Sequence, residues 1–121
     1  MKEKILSITL LILVITFVTI NTSILIKQVD KVKEDVNALL PDSDGSEDEA
    51  RRIYENFMKK EQYISLTVSH DDLTSIEDCF VQLIGYLSVN DIKNAEVTKS
   101  RLISYLEHLR RLSGFTIDAV I

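Results

Sequence analysis

Tryptophan is absent from this chain of 121 residues; proline and cysteine occur once each, histidine twice and glycine three times. So little proline and glycine argues against a sheet protein, whose many turns draw on both, and leaves long helices as the natural economy of the chain. A single cysteine, Cys79, can form no internal disulfide, and its position deep in the chain rules out a lipid-modified N-terminal cysteine. There is no glycine-rich phosphate loop and no strand-to-helix serine elbow, so two common catalytic scaffolds are missing.

The most telling absence is charge. From Ile5 to Ile26, twenty-two residues pass without an Asp, Glu, Lys or Arg. At about 1.5 Å per residue this makes a helix of about 33 Å, enough for the roughly 30 Å hydrocarbon core of a bilayer. Leu, Ile, Val and Phe fill most of it, with no Gly or Pro to interrupt it. A cleaved signal peptide is the competing reading. Lys2 and Lys4 provide its basic start, but the apolar stretch exceeds the usual 7–15 residues. No Ala occurs before Ala38 and no Gly before Gly45, so a small-residue cleavage site is missing. The uncleaved anchor is the better reading.

Lysines flank both ends of this span: Lys2 and Lys4 before it; Lys27, Lys31 and Lys33 after it, mixed with Asp30, Glu34 and Asp35. Counted alone, they nearly tie as orientation signals. The short basic tail of residues 1–4 favours a cytoplasmic N-terminus, hence a soluble domain on the extracytoplasmic side of the cell membrane.

Residues 27–121 carry twelve Lys plus Arg against eighteen Asp plus Glu, a net charge of −6. That balance argues against nucleic acid, whose binding draws on neutralised phosphates, and against a domain lying flat on anionic lipid. A soluble part of this size buries a modest core, which favours a homo-oligomer or a membrane-protein partner.

Five successive segments follow. Residues 1–4 are the basic tail, 5–26 the transmembrane anchor, 27–40 a juxtamembrane helix, 41–46 an acidic linker and 47–121 a helical soluble domain. Leu25, Val29, Val32, Val36 and Leu39 alternate spacings of four and three, a short heptad seam that fits either a coiled coil or a stripe packed on its own domain. Within the anchor, Thr9, Thr16, Thr19 and Ser23 share roughly one face. Such hydroxyls either bond to a second helix in lipid, for about 0.6–2 kcal/mol each, or satisfy themselves on their own helix.

Pro41 ends the juxtamembrane helix. The run Asp42 to Glu49 then places five acids in eight residues. Aligned as a calcium loop with Gly45 at position six, it puts Leu40 at position one and Arg51 at position twelve, where a bidentate Glu is needed, so the match fails. A solvated linker followed by a helix start, with Ser46 as N-cap and Glu49 as its box partner, is the plainer account.

Three amphipathic helices are expected beyond it. The first, about Glu47 to Val68, carries Ala50, Ile53, Tyr54, Phe57, Met58 and Ile64, although Ile64 to Val68 also alternates like a strand. The second starts near Asp71 under a Ser69 cap, with Leu73, Ile76, Cys79, Phe80, Leu83 and Leu87. Asn90-Asp91 makes the next turn. The third spans Ile92 to Leu112, with Ala95, Leu102, Tyr105, Leu106, Leu109 and Leu112; Gly114 stops it, and Phe115 to Ile121 folds back. The fold class is therefore all-α: a transmembrane helix continuing into a juxtamembrane helix, then an antiparallel three-helix bundle or helical hairpins.

No catalytic constellation emerges, so catalytic, cofactor-binding and metal residues are each read as none. The one cluster with site chemistry is His70-Asp71-Asp72, extended by Glu77, which could hold a divalent metal or act as an acid–base pair. A metal needs three or four converging ligands, and His108, the other histidine, is distant in sequence. The simpler account is that Asp71 and Asp72 cap a helix beside an exposed turn histidine. Cys79, in an apolar stripe with no basic neighbour, reads as a buried structural thiol. Arg110-Arg111 reads as a helix-end pair favoured by the dipole.

An apolar anchor followed by a helix, then His70-Asp71 opening another, resembles the bacterial domain of unknown function numbered 4363, from spore-forming Firmicutes. So do Ile76-Glu77, Leu83, Tyr86-Leu87, Asp91, Ala95, Leu106, His108-Leu109 and the closing Phe115 to Ile121. Members often carry a Trp in the helix before the His-Asp pair; this chain has none there. The resemblance implies a membrane-anchored helical protein without assigned activity and supplies no catalytic residues. The expected function is thus a non-enzymatic accessory or structural module, the alternative a small enzyme centred on His70, Asp71 and Asp72.

Overall fold

A computed structural model describes residues 1–64 and 70–120; side chains are described up to Glu61 and from His70 to Leu112. The described backbone forms four helices: α1 (Lys2–Ala38), α2 (Ser46–Ile64), α3 (His70–Ser88) and α4 (Ile92–Val120). α1 packs on α2 and α4, and α3 packs on α2 and α4, so each helix touches two neighbours around a closed ring. This is the up-down-up-down topology of a four-helix bundle.

The three amphipathic helices expected after the linker are present, and the second half of α1 packs with them as a fourth member. Its heptad seam is not left for a second chain. Leu25, Val29, Val32, Val36 and Leu39 are each at most 3% exposed within their own bundle. Opposite them lie Leu102, Leu106 and Leu109 of α4, all fully buried. Phe57 of α2 and Phe80 of α3 fill the other side, with ring centroids 5.5 Å apart, and Tyr54 tilts against Phe80 at 5.4 Å. Three residues assigned to apolar stripes are more open than expected. Met58, Tyr105 and Leu112 sit at the stripe margins, where solvent reaches them.

The connections are built by local chemistry. α1 ends at Ala38, two residues short of the expected end at Leu40. Leu39 turns extended, and the Lys99 ammonium of α4 donates to its carbonyl oxygen at 2.6 Å. Proline just beyond a C-cap is a common stop. Ser46 does not act as the expected cap: it is already helical, and its hydroxyl donates to the Pro41 carbonyl. Gly45, at φ +78°, makes the left-handed step, and its carbonyl accepts the Glu49 N–H. Glu49 pairs with Arg52 rather than reaching back as a box partner.

Asn90-Asp91 makes the turn as expected. The Asp91 N–H reaches the Tyr86 carbonyl and the Asn90 N–H the Leu87 carbonyl, a Schellman pair with Asn90 left-handed at φ 57°. The Asp91 carboxylate then caps α4 by accepting from the Asn94 N–H at 3.3 Å.

Gly114 does not stop α4, which continues to Val120, and the closing segment extends the helix instead of folding back. One glycine inside a helix costs only about 1 kcal/mol relative to Ala, too little to end a long run by itself. Arg110 and Arg111 therefore lie within a helix, not at its end. The expected strand-like alternation beyond Ile64 and the Ser69 cap fall outside the described residues, as does Ile121.

Candidate functional site

Two regions carry the chemistry worth weighing: the bare part of α1 and the groups gathered near the start of α3. Along α1, Ile5, Leu6, Ile8, Leu10 to Val14, Phe17 and Ile20 are large apolar residues that the bundle leaves exposed. The helix is long and apolar enough to cross a membrane, and almost none of its apolar window is buried in the protein. A core helix of a soluble domain would be covered; a signal sequence near the N-terminus also meets this criterion of length and hydropathy. Three members of the hydroxyl stripe are satisfied locally: Thr9, Thr16 and Thr19 each donate to the carbonyl four residues back at 2.8 Å, as does Thr22, outside the stripe, at 2.7 Å.

At the start of α3, His70 and Asp71 are exposed and Asp72 is half-buried. Their carbonyls are engaged by the helix's own hydroxyls: Thr74 donates to the His70 oxygen and Ser75 to the Asp71 oxygen. Among the described residues, no three His, Cys, Asp or Glu side chains converge where a metal ion could sit. α3 and α4 run antiparallel, with Arg101 donating to the Gln82 side chain at 3.3 Å. Continued along both helices, that register sets His108 level with about Ser75, a turn or more from His70.

A pairing that sequence reasoning missed joins Glu77 to Glu61 of α2. A hydrogen bond between the two side chains, followed by burial and the Glu61 charge, pushes Glu77 up to about 7, while His70 opposes the shift. A carboxyl that donates to a neighbouring carboxylate is favoured in its protonated form, which is the direction of the Glu77 shift. Burial, then the charges of Glu77, Glu61 and Asp78, also pushes the Tyr54 phenol up. No spacing in the sequence signals this pair, because its members meet only when α2 and α3 pack.

The pair makes a pH prediction. The unfolded Glu77 releases its proton near pH 4.5, whereas the folded one keeps it to about 7. The native state therefore binds more protons in that window, and the Glu77 contribution to stability is lost as pH rises through 7. Melting temperatures measured from pH 4.5 to 8 should fall for the native chain relative to Glu77→Gln, whose profile should be flatter. Parallel profiles would show that Glu77 does not hold its proton to a higher pH in the folded chain.

Cys79 is buried and free, and burial pushes its thiol up, with only Arg101 opposing. A thiol held in its neutral form suits a packing residue, not a nucleophile.

Comparison of the chain with protein-family models, with curated proteins and with solved structures finds no match.

Proposed function

We propose that this chain is a single-pass membrane protein in which Ile5–Ile26 sets location, and that its bundle is a non-enzymatic accessory or structural module for a membrane-protein partner or a second copy. The observation that carries this reading is the division of α1. Its first half is apolar and uncovered, while its second half is spent inside the chain's own core. Because the Leu25–Leu39 seam is buried within the chain, the anchor and the outer bundle surface are the proposed means of association. Among the described residues, the exposed valines of the bundle come from separate elements: Val81 from α3, Val89 from the turn after it and Val97 from α4. The resemblance in layout to the domain of unknown function numbered 4363 supports the same reading.

The test is purification of tagged full-length protein from its own membranes in mild detergent, with mass spectrometry of what accompanies it. A near-stoichiometric membrane protein, or a homo-oligomer by light scattering, is expected. A lone monomer would overturn the accessory role.

The bundle is proposed to face the extracytoplasmic side. Val89→Cys, at an exposed turn far from the anchor, should react with a membrane-impermeant maleimide on intact cells, while buried Cys79 stays silent. Labelling only after lysis would reverse the orientation.

A further inference from the structure

α1 and α4 are tied at three heights. Asp30 accepts from Arg110 at 2.7 Å, Lys33 pairs with Glu107 at 3.0 Å, and the Leu39 carbonyl accepts from Lys99 at 2.6 Å. Each step toward the N-terminus of α1 is thus matched by a step toward the C-terminus of α4. Continued along both helices, this register sets Lys27 level with Ser113 and Ile20 level with Val120.

Both helices change character at that one height. On α1, Lys27 is the first charge after the apolar run. On α4, Arg110-Arg111 gives way to Leu112-Ser113-Gly114-Phe115-Thr116-Ile117-Asp118-Ala119-Val120, with a single charge. The exposed cations Lys27 and Arg111, and Arg110 in its ion pair, stand around the boundary, where cationic heads snorkel toward lipid phosphates.

Burial on α1 agrees. Thr22 and Leu25 lie inside the charge-free run, yet they are only 1% and 3% exposed. Up to Ile20 no residue of α1 is buried, a length of about 24 Å from Ile5 at 1.5 Å per residue; beyond it Thr22 and Leu25 are covered while Ile24, on another face, stays 45% exposed. The wholly uncovered part falls about 6 Å short of a roughly 30 Å hydrocarbon core. The missing depth lies at the level where α4 accompanies α1.

We infer that the C-terminal end of α4, from Leu112 to Val120, enters the lipid beside the anchor, so that the bundle is held to the bilayer by two helices rather than one. This rests on the reading of Ile5–Ile26 as a membrane span. From the level of Ile26 to that of Ile20 is about 9 Å, within the 5–10 Å to which interfacial helices sink. Asp118, level with Thr22, lies in the outer part of the core, where a carboxyl costs less than at the centre. Two inserted helices stop the bundle from rotating about the axis of α1, which a single continuous helix leaves free.

Because the chain has no tryptophan, single reporters can read depth. Full-length Phe17→Trp, Val120→Trp and Val89→Trp are each reconstituted in phosphatidylcholine vesicles with and without brominated acyl chains. Phe17→Trp and Val120→Trp should each lose half or more of their emission to bromine and be blue-shifted, while Val89→Trp is unaffected. Quenching of Phe17→Trp with water-like, unquenched emission from Val120→Trp overturns the inference and leaves the anchor standing. An unquenched Phe17→Trp overturns both. If Val120→Trp loses helical circular dichroism, Phe115→Trp serves as the deciding reporter on the same terms.

Discussion

With α1 as the proposed membrane span, replacing Leu11 and Val14 together with lysine should release the chain from the membrane while leaving its bundle intact. Both residues lie near the middle of the apolar run and are exposed, at 60% and 51%. Each lysine at the centre of a span costs about 2.5–3.5 kcal/mol for insertion, and the lost leucine or valine adds a few tenths more. Two such changes remove roughly 6–8 kcal/mol, which an anchor of this length without compensating partners does not absorb. After alkaline carbonate extraction the native chain should stay in the pellet and the double variant should move to the supernatant. The melting temperature of the bundle should not change, because neither side chain touches it. Retention of the variant in the pellet would mean that something other than this helix holds the protein to the membrane. The α4 end alone would then be the first place to look.

Phe80→Ala should produce the largest loss of stability among single core substitutions. Phe80 is 1% exposed and packs against both Phe57 and Tyr54, so it joins α3 to α2. Truncating a buried phenylalanine costs about 3–5 kcal/mol in transfer free energy and residual cavity. Small domains are stable by only about 5–15 kcal/mol, so a large share goes with one side chain. For a domain of this size the melting temperature should drop by at least roughly 12 °C by circular dichroism. Val81→Ala is the control: the neighbouring side chain is 58% exposed, and its loss should stay within about 0.5 kcal/mol. Equal effects for the two variants would mean that α2 and α3 do not pack through Phe80.

Much of the architecture is written in local patterns. A charge-free run, a 3.6-residue apolar period and an Asn-Asp turn each depend on residues close in sequence, and the four described helices follow them. Where local rules failed, a weak signal met a competing one. Gly114 looked like a stop, but a single glycine does not outweigh an otherwise helical run. Ser46 looked like a cap, but the left-handed Gly45 had already set the turn. The candidate cluster was legible only in part. His70, Asp71 and Asp72 stand together because they are consecutive, whereas Glu77 found its carboxyl partner on another helix.

By itself, then, the sequence determined helical class, the apolar length that suits a bilayer, and the acidic balance of the remainder, since each is a property of composition and short-range spacing. Only the tertiary structure decided what the heptad seam packs against. A stripe at Leu25, Val29, Val32, Val36 and Leu39 fits its own α4 as readily as a second chain, and the choice rests on loop lengths and facing shapes that no single helix encodes. The Glu61–Glu77 pair and the common height at which α1 and α4 turn apolar were decided in the same way. Both depend on the register between helices, which is set by packing across the core.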